Sequence, residues 1–355
     1  PLSDNMAEII ALGCGLVGNF VVKKLSNMGI HIHVVDLVIP DDVKTSNKVT
    51  FQEGDIFQLL NKLPKSKIVL NLLPGSIGEQ IRPMLIGMEM HVIDLAFTEI
   101  EPTIHNQTAI EHDTTLIWDV GIAPGLSNMI IRKEFENDDQ INEITIKVGG
   151  NPAQPDNDWS YMAPFSPADV IEEYTRPARI LKQGKISTVD AITDLHQINV
   201  AGYGTMEAFL TDGLRSLLNS AMAPNMREYT VRWPGHIQKW IAEKGALSDN
   251  ELLEAWKFDL KRGEFTWMEI KLCYSGHDVI WEILDDGKDG FSSMARSTGL
   301  VTIACAVDLM SKMKDAQKSI KTGVLAPEDL DLESIDRVIE FLKSEGVAIS
   351  RQVTK

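Results

Sequence analysis

Gly13-Cys14-Gly15-Leu16-Val17-Gly18 places three glycines at the spacing that cradles a diphosphate. The first, Gly13, permits a tight turn after an apolar strand. Gly15 lets backbone amides approach a pyrophosphate, and Gly18 lets the following helix pack closely on the strand. Leu16 and Val17 open that helix, whose N-terminus adds positive potential for phosphate. Asp36 ends a second apolar run, where a carboxylate accepts hydrogen bonds from the adenosine ribose hydroxyls. Leu37 follows, with no arginine nearby for a 2′-phosphate, so the pattern favours NAD over NADP. Asp55, in Gly54-Asp55-Ile56, is a candidate neighbour of the adenine. Leu72, Leu73 and Pro74 close a later strand, where they are positioned to line the nicotinamide half.

Further candidates lie downstream. Asp119 opens the loop Asp119-Val120-Gly121-Ile122-Ala123-Pro124-Gly125-Leu126-Ser127-Asn128, from which it can meet a cationic substrate group or accept a proton. The run Glu172-Glu173-Tyr174-Thr175-Arg176-Pro177-Ala178-Arg179 is dense in polar function. Arg176 and Arg179 flank a proline, and a guanidinium grips a carboxylate bidentately; the competing expectation is that both pair with acids of the protein. Tyr174 stands beside them as a candidate substrate contact. His236 closes Arg232-Trp233-Pro234-Gly235-His236 and is a candidate proton shuttle, with a structural imidazole as the alternative. No HxxxH or HExxH spacing points to a catalytic metal, and no GxSxG elbow is present.

The elements that must position these groups can be read from periodicity. Met6 to Gly13, Ile32 to Val35, Lys67 to Leu73, Met90 to Leu95 and Thr115 to Val120 read as buried strands, and Leu16 to Met28 as a helix ending at Gly29. Alternation at βαβ spacing predicts a parallel, doubly wound α/β sheet over 1–124. After Pro124 the pattern becomes α+β. Ile141 to Gly149, Ala178 to Val189, Tyr229 to Trp233 and Thr266 to Tyr274 read as strands, and His277 to Leu284 pairs back through Ser275-Gly276. Gly202 to Phe209 reads as a loop feeding a helix. The inserted domain spans 125–290. Helices at Ser292 to Lys314 and Leu332 to Ser344 place 291–355 back on the first domain.

Composition bounds the rest. The chain has 355 residues, 44% hydrophobic and 24% charged, which suits a folded soluble enzyme rather than a disordered or fibrous chain. A net charge of −17 repels phosphate backbones, so no nucleic acid partner is expected. No apolar run reaches bilayer length, so no membrane partner is expected either. Cys14, Cys273 and Cys305 form no CxxC pair, which points away from structural zinc and toward a reducing, cytoplasmic setting. Pro1 to Asn5 read as a frayed lead without the basic start of a signal peptide.

Taken together, these motifs resemble the saccharopine dehydrogenase-like family, and within it the L-lysine 6-dehydrogenases. The likeness covers most of the chain. It rests on the glycine loop, on Asp119 to Asn128, on Phe165 to Lys182, on Arg232 to His236, on Ser293 to Gly299 and on Gly323 to Glu328. The resemblance implies a Rossmann domain split by an inserted substrate-binding and dimerisation domain, a homodimer, and NAD(P) chemistry at a C–N bond of lysine or a lysine adduct. Saccharopine reductases carry Asp-Pro-Gly where this chain has Ala123-Pro124-Gly125, which points away from saccharopine. The reading that follows is NAD-dependent oxidation of the ε-amine of L-lysine, an amino-acid substrate, with release of ammonia. Alternatives are a saccharopine dehydrogenase or a carboxynorspermidine-type activity, and, from another class, a non-catalytic NAD sensor.

Overall fold

The structure is a computed structural model, and it describes residues 7–136, 140–164, 167–315 and 317–355. In chain order the first elements are β1 (Ile9–Leu12), α1 (Leu16–Asn27), β2 (Ile32–Asp36), α2 (Asp41–Lys44), β3 (Val49–Glu53), α3 (Ile56–Leu59), β4 (Ile68–Asn71) and α4 (Gly75–Gly87). There follow β5 (His91–Asp94), α5 (Asn106–Glu111), β6 (Thr115–Trp118), α6 (Leu126–Phe135), β7 (Glu143–Pro152), α7 (Pro167–Thr175), β8 (Ala178–Lys182), β9 (Lys185–Val189), β10 (His196–Val200), β11 (Gly204–Leu210) and β12 (Asn225–Arg232). The last are α8 (His236–Glu243), α9 (Asp249–Ala255), β13 (Glu264–Cys273), β14 (Asp278–Asp285), α10 (Ser293–Lys314), β15 (Gly323–Leu325), α11 (Leu332–Ser344) and β16 (Ala348–Thr354).

The chain divides into two compact units, 1–126 with 298–342 and 127–297 with 343–355. The first holds a seven-stranded sheet in the order β15-β6-β5-β4-β1-β2-β3, with every neighbouring pair parallel. β1, β4 and β6 are buried along their whole length, as strands covered on both faces must be. This is the doubly wound α/β sheet that the alternation predicts. Strand order reverses between β1 and β4, and the carboxyl ends of strands at such a reversal are where these folds bind ligands. The glycine loop leaves β1 there. α1 buries Phe20, Val21 and Leu25 on one face, and Gly29 follows its C-cap at φ 87°.

The second unit holds a nine-stranded mixed sheet. Its path runs β10-β11-β12-β7-β13-β14-β16, and β8 and β9 extend it from β12. β7 and β12 are parallel; the other pairs are antiparallel, including β13 with β14 through the turn after Tyr274. Three features differ from the sequence reading. Ala178 to Val189 is a hairpin, turned at Gln183 and Gly184, both in the left-handed region. Gly202 to Phe209 is not a helix lead but contributes β11, because Met206, Ala208 and Leu210 alternate into a core with Tyr229 and Trp267. The chain ends on a strand, β16, which follows the two helices expected over 291–355 and pairs with β14. Glu134 anchors it, accepting Arg351 Nε at 2.7 Å and Trp281 Nε1 at 2.8 Å.

Candidate active site

Gly13 sits at φ 101°, and a Cβ there would lie 2.6 Å from the Leu72 carbonyl oxygen. A Cβ on Gly18 would lie 2.4 Å from the Gly13 carbonyl. Both positions are closed to any side chain by the fold itself. Gly15 is different: a Cβ there would meet nothing within 4 Å. The residue is exposed, as is Leu16 beside it. Gly15 is also the N-cap of α1, which has no side-chain cap and no acid in its first turn. The amides that open α1 therefore face open space with no side-chain acceptor, which is the environment a diphosphate completes.

Asp36 faces this loop. Its carboxylate accepts the Cys14 N–H at 2.5 Å and the Leu37 N–H at 2.6 Å. The bases nearby are already committed to acids: Lys23 pairs with Asp42, and Lys44 lies 2.8 Å from Glu53 and 3.7 Å from Asp41. Asp55 has another use than the adenine contact expected of it. Its carboxylate accepts the Phe57 N–H at 2.9 Å and caps α3. Leu72 hydrogen-bonds through its N–H to the Leu12 carbonyl at 2.8 Å, Leu73 packs on the core, and Pro74 caps α4 from an exposed position. These three lie at the end of β4, beside the glycine loop. Asp119 is buried at the end of β6 with φ 53°. The loop after it is tight, since a Cβ on Gly125 would lie 1.9 Å from the Gly121 carbonyl.

In the second unit the structure brings Tyr174 and His236 together around Arg232, to which the sequence alone assigns no role of its own. Arg232 is 3% exposed. Its Nε donates to Tyr174 Oη at 2.7 Å and its Nη1 to the Val231 carbonyl at 3.0 Å. Nη2 is left with Tyr161 Oη at 3.5 Å and the Glu173 carboxylate at 4.0 Å. The Tyr161 ring lies 4.5 Å below the guanidinium and partly offsets its burial. A cation buried among aromatic rings, with one nitrogen poorly partnered, is a natural receptor for a carboxylate. Burial pushes the Tyr161 hydroxyl up to about 12 and Tyr174 well above its usual value. Neither exchanges protons near neutral pH.

Arg176 and Arg179 are placed otherwise than a substrate clamp would require. Arg179 grips Asp212 bidentately, Nε to Oδ1 at 2.9 Å and Nη2 to Oδ2 at 3.0 Å, and Arg176 Nε lies 3.4 Å from the same carboxylate. The two arginines hold an acid of the protein and fix the exit of α7. His236 is likewise no exposed proton shuttle. It is 1% exposed; Nδ1 faces the Trp159 carbonyl at 2.9 Å and Nε2 the Tyr174 hydroxyl at 3.0 Å. Burial, with Arg232 adding to it, pushes its pKa down to about 3.

That depression carries a pH signature. Between about 6.5, its value in the unfolded chain, and about 3, the unfolded chain binds a proton at His236 and the native chain does not. Stability is therefore lost as pH falls through this window, by about 1.4 kcal/mol per pH unit at most. The effect is read by comparing urea unfolding of the wild type and His236→Gln over that range. The wild-type curve should fall more steeply; equal slopes would contradict the buried neutral imidazole.

The fold and the cradle define a chain built on a Rossmann-type sheet with a second α+β unit. Residues 121–269 match the family model of the saccharopine dehydrogenase C-terminal domain. The chain is 22% identical over 194 residues to the Pyricularia oryzae protein named saccharopine dehydrogenase [NADP(+), L-glutamate-forming], covering 51% of this chain and 43% of that one. It is 24% identical over 225 residues to the mitochondrial alpha-aminoadipic semialdehyde synthase of Bos taurus, covering 55% and 24% respectively. The chain thus spans less than half the length of these curated relatives. The solved apo saccharopine dehydrogenase (L-Glu forming) of Saccharomyces cerevisiae superposes with a TM-score of 0.75 at 15% identity, over 99% of this chain and 100% of that one. These likenesses support the resemblance to the saccharopine dehydrogenase-like family, in sequence over residues 121–269 and in fold over the whole chain. Among the described residues no helix is long and apolar enough to cross a membrane, and no group of three or more His, Cys, Asp or Glu side chains is placed to hold a metal. Phe165 and Ser166, part of one motif behind the resemblance, lie outside the described residues.

Proposed function

We propose that this chain is an NAD-dependent oxidoreductase acting at a carbon–nitrogen bond of lysine or of a lysine adduct. Within that class, the reaction is oxidation of the ε-amine of L-lysine, with water then releasing ammonia to leave the semialdehyde. The observation that carries the cofactor half is the open, uncapped start of α1 at Gly15, with Asp36 at the adjoining strand end. When bound, the dinucleotide supplies the acceptor for a hydride from the carbon bearing nitrogen. The amides that open α1 hold the diphosphate. Asp36 exchanges its bond to Cys14 for the ribose hydroxyls. The pairing of Lys23 and Lys44 with acids leaves a 2′-phosphate poorly served, which favours NAD over NADP. Arg232 Nη2 takes the α-carboxylate of the substrate, the role that Arg176 and Arg179 give up to Asp212. Asp119 receives the proton that the ε-ammonium must lose before its carbon can be oxidised. The homodimer implied by the resemblance belongs to the same reading.

A second reading, oxidation of saccharopine, is favoured by the activity for which the relatives are named. Incubation with NAD or NADP and each of lysine, saccharopine and carboxynorspermidine separates the readings by the appearance of reduced-nicotinamide absorbance. Turnover is expected with lysine and NAD. Turnover with saccharopine alone would move the substrate assignment and keep the enzyme class. NAD at a hundred times its Kd should also stabilise the fold by about 2.7 kcal/mol, read as a rise in Tm. A rise in Tm without turnover of any of the three would leave a non-catalytic NAD-binding module.

A further inference from the structure

We infer that His236 is a positioning residue for substrate binding: through Tyr174 it fixes the Arg232 guanidinium so that Nη2 is presented to the substrate's carboxylate. The inference rests on the reading of Arg232 above and deepens it.

The argument is one of hydrogen-bond direction. The Trp159 carbonyl can only accept, so the proton of a neutral His236 ring sits on Nδ1, 2.9 Å away. Nε2 is then a lone pair, and the Tyr174 hydroxyl at 3.0 Å must donate to it. With its proton turned toward the histidine, Tyr174 Oη presents only lone pairs to Arg232, whose Nε donates at 2.7 Å. The chain carbonyl–imidazole–phenol–guanidinium therefore runs one way. Reversing Tyr174 would set its O–H against the Nε–H of Arg232.

The imidazole cannot turn out of this arrangement. It opens α8 directly after Gly235, which sits at φ 92°. The rings of Tyr161, Trp159 and Trp256 stand around it at centroid distances of 4.8, 5.8 and 5.9 Å. Both nitrogens are engaged inside the protein, so His236 offers no lone pair to a reacting atom and acts only through Tyr174. Nε of Arg232 is tied to Tyr174 and Nη1 to Val231, which leaves Nη2 as the donor with the weakest protein partners.

The test compares L-lysine with 1,5-diaminopentane, which has the amine but no carboxylate. His236→Leu should raise KM for lysine about tenfold, the scale of a weakened bond to a charged group, with kcat changed by less than about twofold. KM for the diamine should stay within about twofold. His236→Gln, whose amide oxygen can still accept from Tyr174, should recover most of the loss and serves where the leucine variant folds poorly. Tyr174→Phe should reproduce the leucine variant, and the double variant should add nothing further. Imidazole 15N shifts near neutral pH should report the Nδ1–H tautomer. A lysine KM unmoved in both histidine variants, an equal rise for lysine and the diamine, or the Nε2–H tautomer would overturn the positioning role. Failure of the underlying reading shows differently: the wild type turns over neither lysine nor saccharopine, and the inference falls with it.

Discussion

Replacing Gly15 by aspartate should leave the protein as stable as the wild type, or more stable by about 0.5–1 kcal/mol, while weakening NAD binding at least about a hundredfold. The two effects have opposite signs because they arise from one feature. Gly15 is the N-cap of α1, its φ of −71° suits any residue, and a Cβ there has free space. Aspartate is among the best N-caps; its carboxylate would accept an amide of the first turn, which has no side-chain cap in the wild type. Those amides are the groups proposed to hold the diphosphate. The new carboxylate would occupy them, fill the approach and repel two phosphate charges. Gly15→Ala adds the Cβ alone and should give an intermediate loss. Thermal unfolding and calorimetric titration with NAD measure the pair. A variant that binds NAD as tightly as the wild type would remove the cofactor from this loop. Substitution of Gly13 or Gly18 cannot make the same distinction, because a Cβ at either position strikes backbone and unfolding would mimic lost binding.

The cradle was legible in the sequence because two of its glycines, Gly13 and Gly18, answer backbone demands that no other residue meets, and such demands are local. Gly13 needs its positive φ and Gly18 its contact with the Gly13 carbonyl. The buried strands were legible for a similar reason: a parallel strand covered on both faces must be apolar throughout. What stayed hidden was pairing across the fold. Asp212 lies thirty-three residues from Arg179, and nothing local marks the aspartate as the partner that both arginines find. His236 carried the residue type of a proton shuttle, and only its burial between Trp159 and Tyr174 shows otherwise. β11 was masked by Gly202 before it, Gly204 at its start and Thr211-Asp212-Gly213 after it, turn signals that outweigh a short alternation. β16 is an edge strand, mostly exposed, and has almost no apolar pattern to read.

Arg82 and Asp94 show what such hidden pairing does for the proposed site. Both side chains are buried, and Arg82 Nε lies 2.5 Å from Asp94 Oδ2. Asp94 also accepts from Asn71 Nδ2 at 3.1 Å and from the Ala96 N–H at 2.9 Å. Arg82 reaches on to Thr98 Oγ1 and the Ala96 carbonyl, each at 2.8 Å. The pair thus ties α4 to the turn after β5. The fit is close: a Cβ on Gly75 would lie 2.0 Å from the Phe97 carbonyl, and one on Gly78 2.4 Å from the Ala96 Cβ. Leu72, Leu73 and Pro74 lead directly into that helix, so the pair also holds the proposed lining of the nicotinamide end. Removing one partner of a buried pair strands the other charge, so Arg82→Met should cost about 3–5 kcal/mol, a fall in Tm on the order of 10 °C. Replacing both, as Arg82→Met with Asp94→Leu, should cost much less than either change alone, because no charge is left uncompensated. The stranded aspartate adds a pH signature. Burial raises the Asp94 pKa, and Arg82 is first among the groups opposing that rise. Without the arginine the native state keeps a proton on Asp94 that the unfolded chain, titrating near 3.8, has released. The Arg82→Met variant should therefore regain stability as pH falls from neutral toward that value, and lose it again as pH rises. Urea unfolding of the wild type, the single variant and the double variant across that range reads both effects. A single variant as stable as the wild type at neutral pH, or one that only weakens on acidification, would show that the pair does not hold this wall.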